Sequence, residues 1–254
     1  MKKTEHEGVY LYCIVEGDIT EDFGRIGIEK NRVYTLPFKD VSAVVHSSKA
    51  EPYNSKDERI VKEWILSHQN VVDKTMEKYG TVIPFSFDTI IRGKEKNLKD
   101  WLETDYKNIK NKLRSVKGKK EYGIQISIDE KIITKEVEKK EEIRKLKEKI
   151  EKLPKGTAYM FTQQMKNRIK NEIENKSKEL FDEFYTKIKK GSIDTRIEKN
   201  KDTQNEKRMI LNVSVLLKNE NIKAFGDDLE KINKKEGVSI RFVGPFAPYS
   251  FVSN

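Results

Sequence analysis

The chain has 254 residues, 37% of them charged and 35% hydrophobic, with 52 Lys and Arg against 42 Asp and Glu and a formal charge of +10. That is more charge and less apolar content than the ~25% and ~45–50% of an average globular chain, yet too apolar and too periodic for a disordered one. A single cysteine, Cys13, excludes a disulfide framework within the chain, and the charge balance reads first as a mixed, solvated surface, with nucleic acid, an anionic membrane or an acidic protein partner as the alternatives.

The opening MKKTEHEG has no long apolar stretch of the signal-peptide kind. The longest apolar runs, such as MILNVSVLL, fall far short of the ~20 residues that span a bilayer. With one cysteine and a reducing compartment, a cytoplasmic protein without membrane insertion is expected.

Val9 to Val15 is apolar on both alternating faces, which predicts a central strand covered on two sides. Strands are predicted around Asn31 to Phe38 and Val41 to Ser47, turning at FKD. Asn54 or Ser55 can cap a helix from about Lys56 to Tyr79, with Ile60, Trp64, Val71 or Val72 and Met76 on its inner stripe and Gly80 at its end. TVIPFSFDTII is then extended, and Pro84 places it at an edge or a bulge because it cannot donate to a ladder. A helix from about Glu95 to Val116 puts Leu98, Leu102, Ile109 and Leu113 on one stripe and stops at Gly118.

Glu121 to Asp129 alternates as a strand and opens a second domain. From Lys131 to Lys190 there are 18 basic and 11 acidic side chains. Ile143, Leu146, Ile150 and Leu153 form one stripe, Met165, Ile169, Ile173, Leu180, Phe184 and Ile188 another, and Pro154 to Gly156 breaks between them. The spacing predicts an antiparallel helical hairpin projecting as a short coiled-coil arm, with a solvated two-helix cover on the sheet as the plainer alternative. Gly191 to Asn205 reads as a flexible loop, RMILNVSVLL as a strand, NIKAFGDDLEKINKKEG as a helix and VSIRFVGPF as the last strand.

The fold class expected is therefore α+β, with two domains that are each an antiparallel sheet with helices on one face, close to a ferredoxin-like plan. The boundaries are residues 1–118, residues 119–243 with the arm at about 131–190, and a tail at 244–254. That tail carries Phe246, Tyr249, Phe251, Pro245, Pro248 and Gly244 within a few residues of the end. Termini are ordinarily polar and frayed. So much apolar surface either folds back onto the body, the prolines cutting the entropy lost on docking, or meets a partner. The same choice applies to Pro84, Phe85 and Phe87, for which packing inside is the plainer reading.

No chemistry is legible. The three histidines, His6, His46 and His68, show no metal-ligand spacing, and Cys13 stands alone. His68 beside Ser67 is not a nucleophile pair, because adjacent helix residues do not face each other. GRIG, Gly24 to Gly27, lacks the spacing of a phosphate loop. No enzyme, metal or cofactor is expected. VYLY, Val9 to Tyr12, superficially resembles the first aromatic strand of an RNA-binding module, but the companion aromatic-glycine strand is missing.

Several segments together resemble the gas vesicle protein GvpF/GvpL family over nearly the whole chain. They are GVYLYCIV at the start, KDVSAVVHS, LSHQNVVDKTMEKYGTVIPFSFDTII, KEYGIQISID, and VGPFAPYSFV at the end. The chain departs from the family's usual pattern in having Phe246 for Trp, Ala247 for Pro and Asp88 for Gly. The resemblance implies a non-enzymatic, vesicle-associated accessory or minor structural protein. Its implied partners are the small, very hydrophobic shell protein and other gas vesicle accessory proteins. Candidate partner-binding or tail-docking residues are Pro84, Phe85, Phe87, Gly244, Pro245, Phe246, Pro248, Tyr249 and Phe251. The alternative function is a basic ferredoxin-like nucleic-acid-binding module.

Overall fold

The structure, a computed structural model, describes residues 7–200 and 207–252, so His6 and most of the NKDTQN segment lie outside the described residues. The chain forms two compact units, Met1–Glu121 with Pro245–Asn254, and Tyr122–Gly244.

The first unit is built on β1 (Glu7–Glu16), a β-branched and aromatic run buried from Gly8 through Val15. There follow β2 (Asp22–Gly24), a 3-10 turn at Ile28–Lys30, β3 (Val33–Phe38), β4 (Val41–Lys49), α1 (Glu58–Tyr79), β5 (Val82–Pro84), β6 (Ile90–Arg92) and α2 (Glu95–Val116). The sheet runs β2-β3-β4-β1-β5, with β6 also on β1. Tyr10 lies opposite His46 in β4, and Cys13 opposite Pro84 in β5. The β1–β4 register shifts between Leu11 and Cys13, which makes Tyr12 the extra residue of a bulge. β5 ends the strand order at Pro84, a position that asks nothing of the missing N–H.

Helix α1 differs from its sequence reading at its start. Asp57, not Asn54 or Ser55, caps it by accepting from the Arg59 backbone N–H at 2.9 Å. Ile60, expected on the inner stripe, is exposed, and Trp64 is half-buried. Burial begins only at His68, Val71, Val72, Thr75 and Met76. Gly80 closes the helix with φ +79°, its N–H reaching the Met76 carbonyl at 2.8 Å.

The second unit comprises β7 (Lys119–Asp129), α3 (Glu130–Glu138), α4 (Glu141–Glu151), α5 (Lys155–Gly191), β8 (Asp194–Ile197), β9 (Lys207–Lys218), a 3-10 turn at Asn219–Asn221, α6 (Ile222–Asn233) and β10 (Val238–Phe246). Its strand order, β10-β7-β9-β8, is the ferredoxin-like 4-1-3-2 order. The β7–β10 register is antiparallel: the Asp129 N–H meets the Gly237 carbonyl at 3.0 Å, and the Ser239 hydroxyl meets the Ser127 carbonyl at 3.5 Å.

Two expectations change here. Strand β8 occupies part of the segment read as a flexible loop; it is short and charged and lies at the sheet edge, so it lacks the apolar alternation that marks a half-buried strand. The helical insertion is three helices rather than a simple hairpin. Ile133 and Val137 of α3, and Ile173, Leu180, Phe184 and Ile188 of α5, belong to the core with Ile124, Ile126, Leu211, Val213, Phe225 and Leu229. The stretch from Arg144 to Glu172 contains no buried residue.

Candidate functional site

Inside the first unit, strands β1 and β4 and helix α1 bring together a cluster of tyrosines and histidines. The Tyr10 hydroxyl lies 2.9 Å from His68 Nδ1, and the Tyr12 hydroxyl 2.8 Å from His46 Nδ1. Each hydroxyl already accepts a backbone N–H, Tyr10 from Asp88 at 2.9 Å and Tyr12 from Ile28 at 3.1 Å. Each therefore gives its own proton to the histidine, and both Nδ1 atoms are acceptors. The remaining imidazole protons sit on Nε2. His68 Nε2 donates to the Phe85 carbonyl at 3.0 Å, and His46 Nε2 to the Tyr53 hydroxyl at 3.1 Å.

This arrangement fixes both rings as neutral imidazoles. A proton added at either Nδ1 would meet a hydroxyl already directed at it. Burial pushes both histidines down to about 4. The same burial pushes the Tyr10 and Tyr12 hydroxyls well above their ordinary range and the Cys13 thiol up to about 12. None of these groups is poised as a nucleophile or base at neutral pH. Among the described residues, no cluster of three or more His, Cys, Asp and Glu is arranged to hold a metal ion. The rings also pack on one another, Tyr10 stacked on His46 with centroids 4.9 Å apart and His68 edge-on to Phe87 at 6.2 Å. Gly27 lies against this cluster because a Cβ there would come within 2.7 Å of the Tyr12 hydroxyl.

The PFSFDT segment closes one side. Pro84 is buried against Cys13; Phe85 offers its carbonyl to His68 and its ring to Trp101, centroids 5.8 Å apart. Phe87 packs on the cluster. Asp88 adopts φ +70°, a left-handed conformation that side chains disfavour, and holds the turn by accepting the Tyr53 N–H at 2.9 Å.

The tail closes another side. It forms a single helical turn, α7 (Tyr249–Val252), and not the purely extended path that its prolines suggest. Ala247, Pro248 and Val252 are buried, and Ala247 and Tyr249 belong to the same core as Tyr10 and Tyr12. The Tyr249 hydroxyl reaches His68 Nε2 at 3.4 Å. Ser250 ties the turn to the buried Glu121, its N–H at 2.9 Å from one carboxylate oxygen and its hydroxyl at 2.6 Å from the other. Phe251 is half-buried. Gly244 and Pro245 are exposed, and Phe246 remains 39% exposed instead of packing back.

Sequence reading missed the cluster because its members are 34 and 58 residues apart along the chain. It also missed a surface. Over the first turns of α1, Ile60, Ile65 and Leu66 are 40%, 46% and 58% exposed, beside the half-buried Trp64. Tyr10 and Tyr12, the rings a nucleic-acid module would present to bases, are fully buried. Among the described residues, no helix is long and apolar enough to cross a membrane.

The comparisons with known proteins agree with one another. The family profile described as "Gas vesicle synthesis protein GvpL/GvpF" matches residues 8–253. Gas vesicle protein L1 of Halobacterium salinarum is 30% identical, with 98% of this chain and 92% of that protein covered. Gas vesicle protein L of Haloferax mediterranei is 29% identical, with 98% and 89% covered. The crystal structure of the gas vesicle protein GvpF from Anabaena superposes with a TM-score of 0.79 at 20% identity, covering 98% of this chain and 99% of that one. GvpF from Microcystis aeruginosa gives 0.69 at 17% identity, covering 97% and 99%. Two antiparallel sheets with helices are thus a fold shared with solved GvpF structures, and the chain belongs to the GvpL/GvpF family of gas vesicle synthesis proteins.

Proposed function

We propose that this chain is a vesicle-associated accessory or minor structural protein that binds the small hydrophobic shell protein and supports vesicle assembly without catalysing a reaction. The observation that carries the proposal is the family match across residues 8–253. The physical need is plain: a subunit with a large apolar face aggregates unless another surface covers it until it is added to a growing wall.

The apolar start of α1 suits that task. Ile60, Trp64, Ile65 and Leu66 lie within two helical turns and are exposed or half-exposed. An apolar partner laid along Ile65 and Leu66 would take their exposed area out of water at ~25 cal/mol per Å². Pro84, Phe85, Phe87, Pro248, Tyr249 and Phe251 serve on this reading to dock the tail and stiffen the unit. Gly244, Pro245 and Phe246, which leave the sheet exposed, are free to add contact area.

Co-expression of the shell protein with the full-length chain tests the proposal. Shell protein held in the soluble fraction and co-purifying with the chain supports it. Shell protein that aggregates equally with and without a folded chain overturns it.

A further inference from the structure

The stretch from Arg144 to Glu172, most of α4 and the first half of α5, forms two packed helices without one buried residue. It is not featureless. Leu146 and Ile150 on α4, Leu153 in the turn after it, and Ala158, Phe161, Met165 and Ile169 on α5 recur at spacings of three and four and are all half-buried. That is the seam of a two-helix coil left open on its outer side. Tyr159 and Met160 beside it are 68% and 61% exposed.

The charge around the seam is one-sided. From Arg144 to Lys170 there are nine basic side chains and two acidic ones. Among the described residues, Lys147, Lys152, Lys155, Lys166 and Lys170 make no ion pair. Lys149 lies over the Phe161 ring, 4.8 Å from its centroid. Elsewhere on the insertion carboxylates answer the cations, as in Arg208 with Glu174 at 2.8 Å and Lys176 with Glu136 at 3.5 Å.

We propose that this seam is a docking surface for an acidic amphipathic helix of a partner protein, which completes a three-helix bundle by covering the open apolar stripe and neutralising its basic rim. The 3-4 spacing on both helices fits a third helix along the groove. The like charge of two such arms opposes pairing with a second copy. A phosphate backbone would meet the lysines but leave the apolar stripe in water, so nucleic acid uses half of what is present. A partner acidic on one face and apolar on the other uses both. The surface lies in the second unit, so the inference stands or falls separately from shell-protein binding at α1.

Fluorescence anisotropy on the full-length chain tests it, using a labelled synthetic helix with Leu at its a and d positions and Glu elsewhere. A peptide of the same composition in scrambled order, vesicles containing phosphatidylserine and a duplex RNA serve as competitors. The ordered peptide is expected to bind at least 10-fold more tightly than the scrambled one. Ile150→Asp with Met165→Asp is expected to weaken binding 10-fold or more, and Lys147→Glu with Lys166→Glu to weaken it similarly and flatten its salt dependence. Ile150 and Met165 are half-buried where α4 packs on α5, so circular dichroism and an unchanged melting temperature first verify that each variant keeps the two helices packed. Equal binding of the scrambled peptide, indifference to the seam substitutions, or displacement of the peptide by vesicles or RNA at lower concentration than by unlabelled peptide overturns the proposal.

Discussion

Tyr12 shows how much rests on one hydroxyl. Its oxygen accepts the Ile28 N–H and its proton goes to His46, and all three groups are buried. Tyr12→Phe leaves a buried donor and a buried acceptor without partners. Urea unfolding of the first unit should show a loss of about 2–4 kcal/mol, more than the removed atom's own burial accounts for. Asp88 makes the opposite case. Its left-handed backbone disfavours any side chain, yet its carboxylate recovers the cost by holding the Tyr53 N–H. Asp88→Gly should therefore change stability by about 1 kcal/mol or less, whereas Asp88→Val should cost about 2–3 kcal/mol, because it keeps the strained φ and loses the acceptor. Equal midpoints for the two variants would contradict this account of the turn.

At the scale of elements, the tail acts as a closing piece of the first unit. Ala247, Pro248 and Val252 are buried, and Ser250 makes two hydrogen bonds to a buried carboxylate. Ser250→Ala removes the shorter of them and should cost about 1.5–3 kcal/mol. Cutting the chain after Val243 removes both and bares the core, so the truncated first unit should melt at a clearly lower temperature or not fold; an unchanged melting curve would refute the role. The apolar content of this tail was visible in the sequence, and so were eight of the ten strands, all but the short β2 and β8, because burial imprints a period that can be read along the chain. What was not visible has a common cause. Strand β8 is polar because it is an edge, and Asp194 even turns its carboxylate to the Thr195 N–H at 2.8 Å, occupying a donor that pairing would otherwise use. The α1 cap moved to Asp57 because any of several neighbouring polar residues can serve. The bulge at Tyr12 and the Tyr–His pairs depend on register between strands, and a single sequence records which residues face inward but not whom they meet.

For the whole molecule, the buried histidines predict how stability follows pH. Both are pushed from the ordinary value down to about 4 in the folded chain, so the unfolded chain binds more protons below about 6.5. Their contribution is fully present above that point and is lost as pH falls toward 4. Each can contribute on the order of 3 kcal/mol over that window. His46→Gln and His68→Gln should each lower stability at pH 7 while making its decline toward pH 4 shallower; a decline as steep as in the unmodified chain would show that carboxylates alone govern acid unfolding. The candidate contact surface was less legible than the fold. The tail and PFSFDT attract attention as apolar segments, but most of that surface is taken up by packing, while Ile60 looks like core by periodicity and is exposed.

Binding of the shell protein to that outside face is the central claim, and its affinity is the measurement that tests it most directly. The full-length chain, its Ile65→Asp, Leu66→Asp variant and its Ser250→Ala variant would be titrated with detergent-solubilised shell protein, each first verified as folded. The account predicts binding by the unmodified chain, at least 10-fold weaker binding by the α1 variant, and little change for Ser250→Ala. Equal affinity of the α1 variant and the unmodified chain, or no binding by any of them, would contradict it.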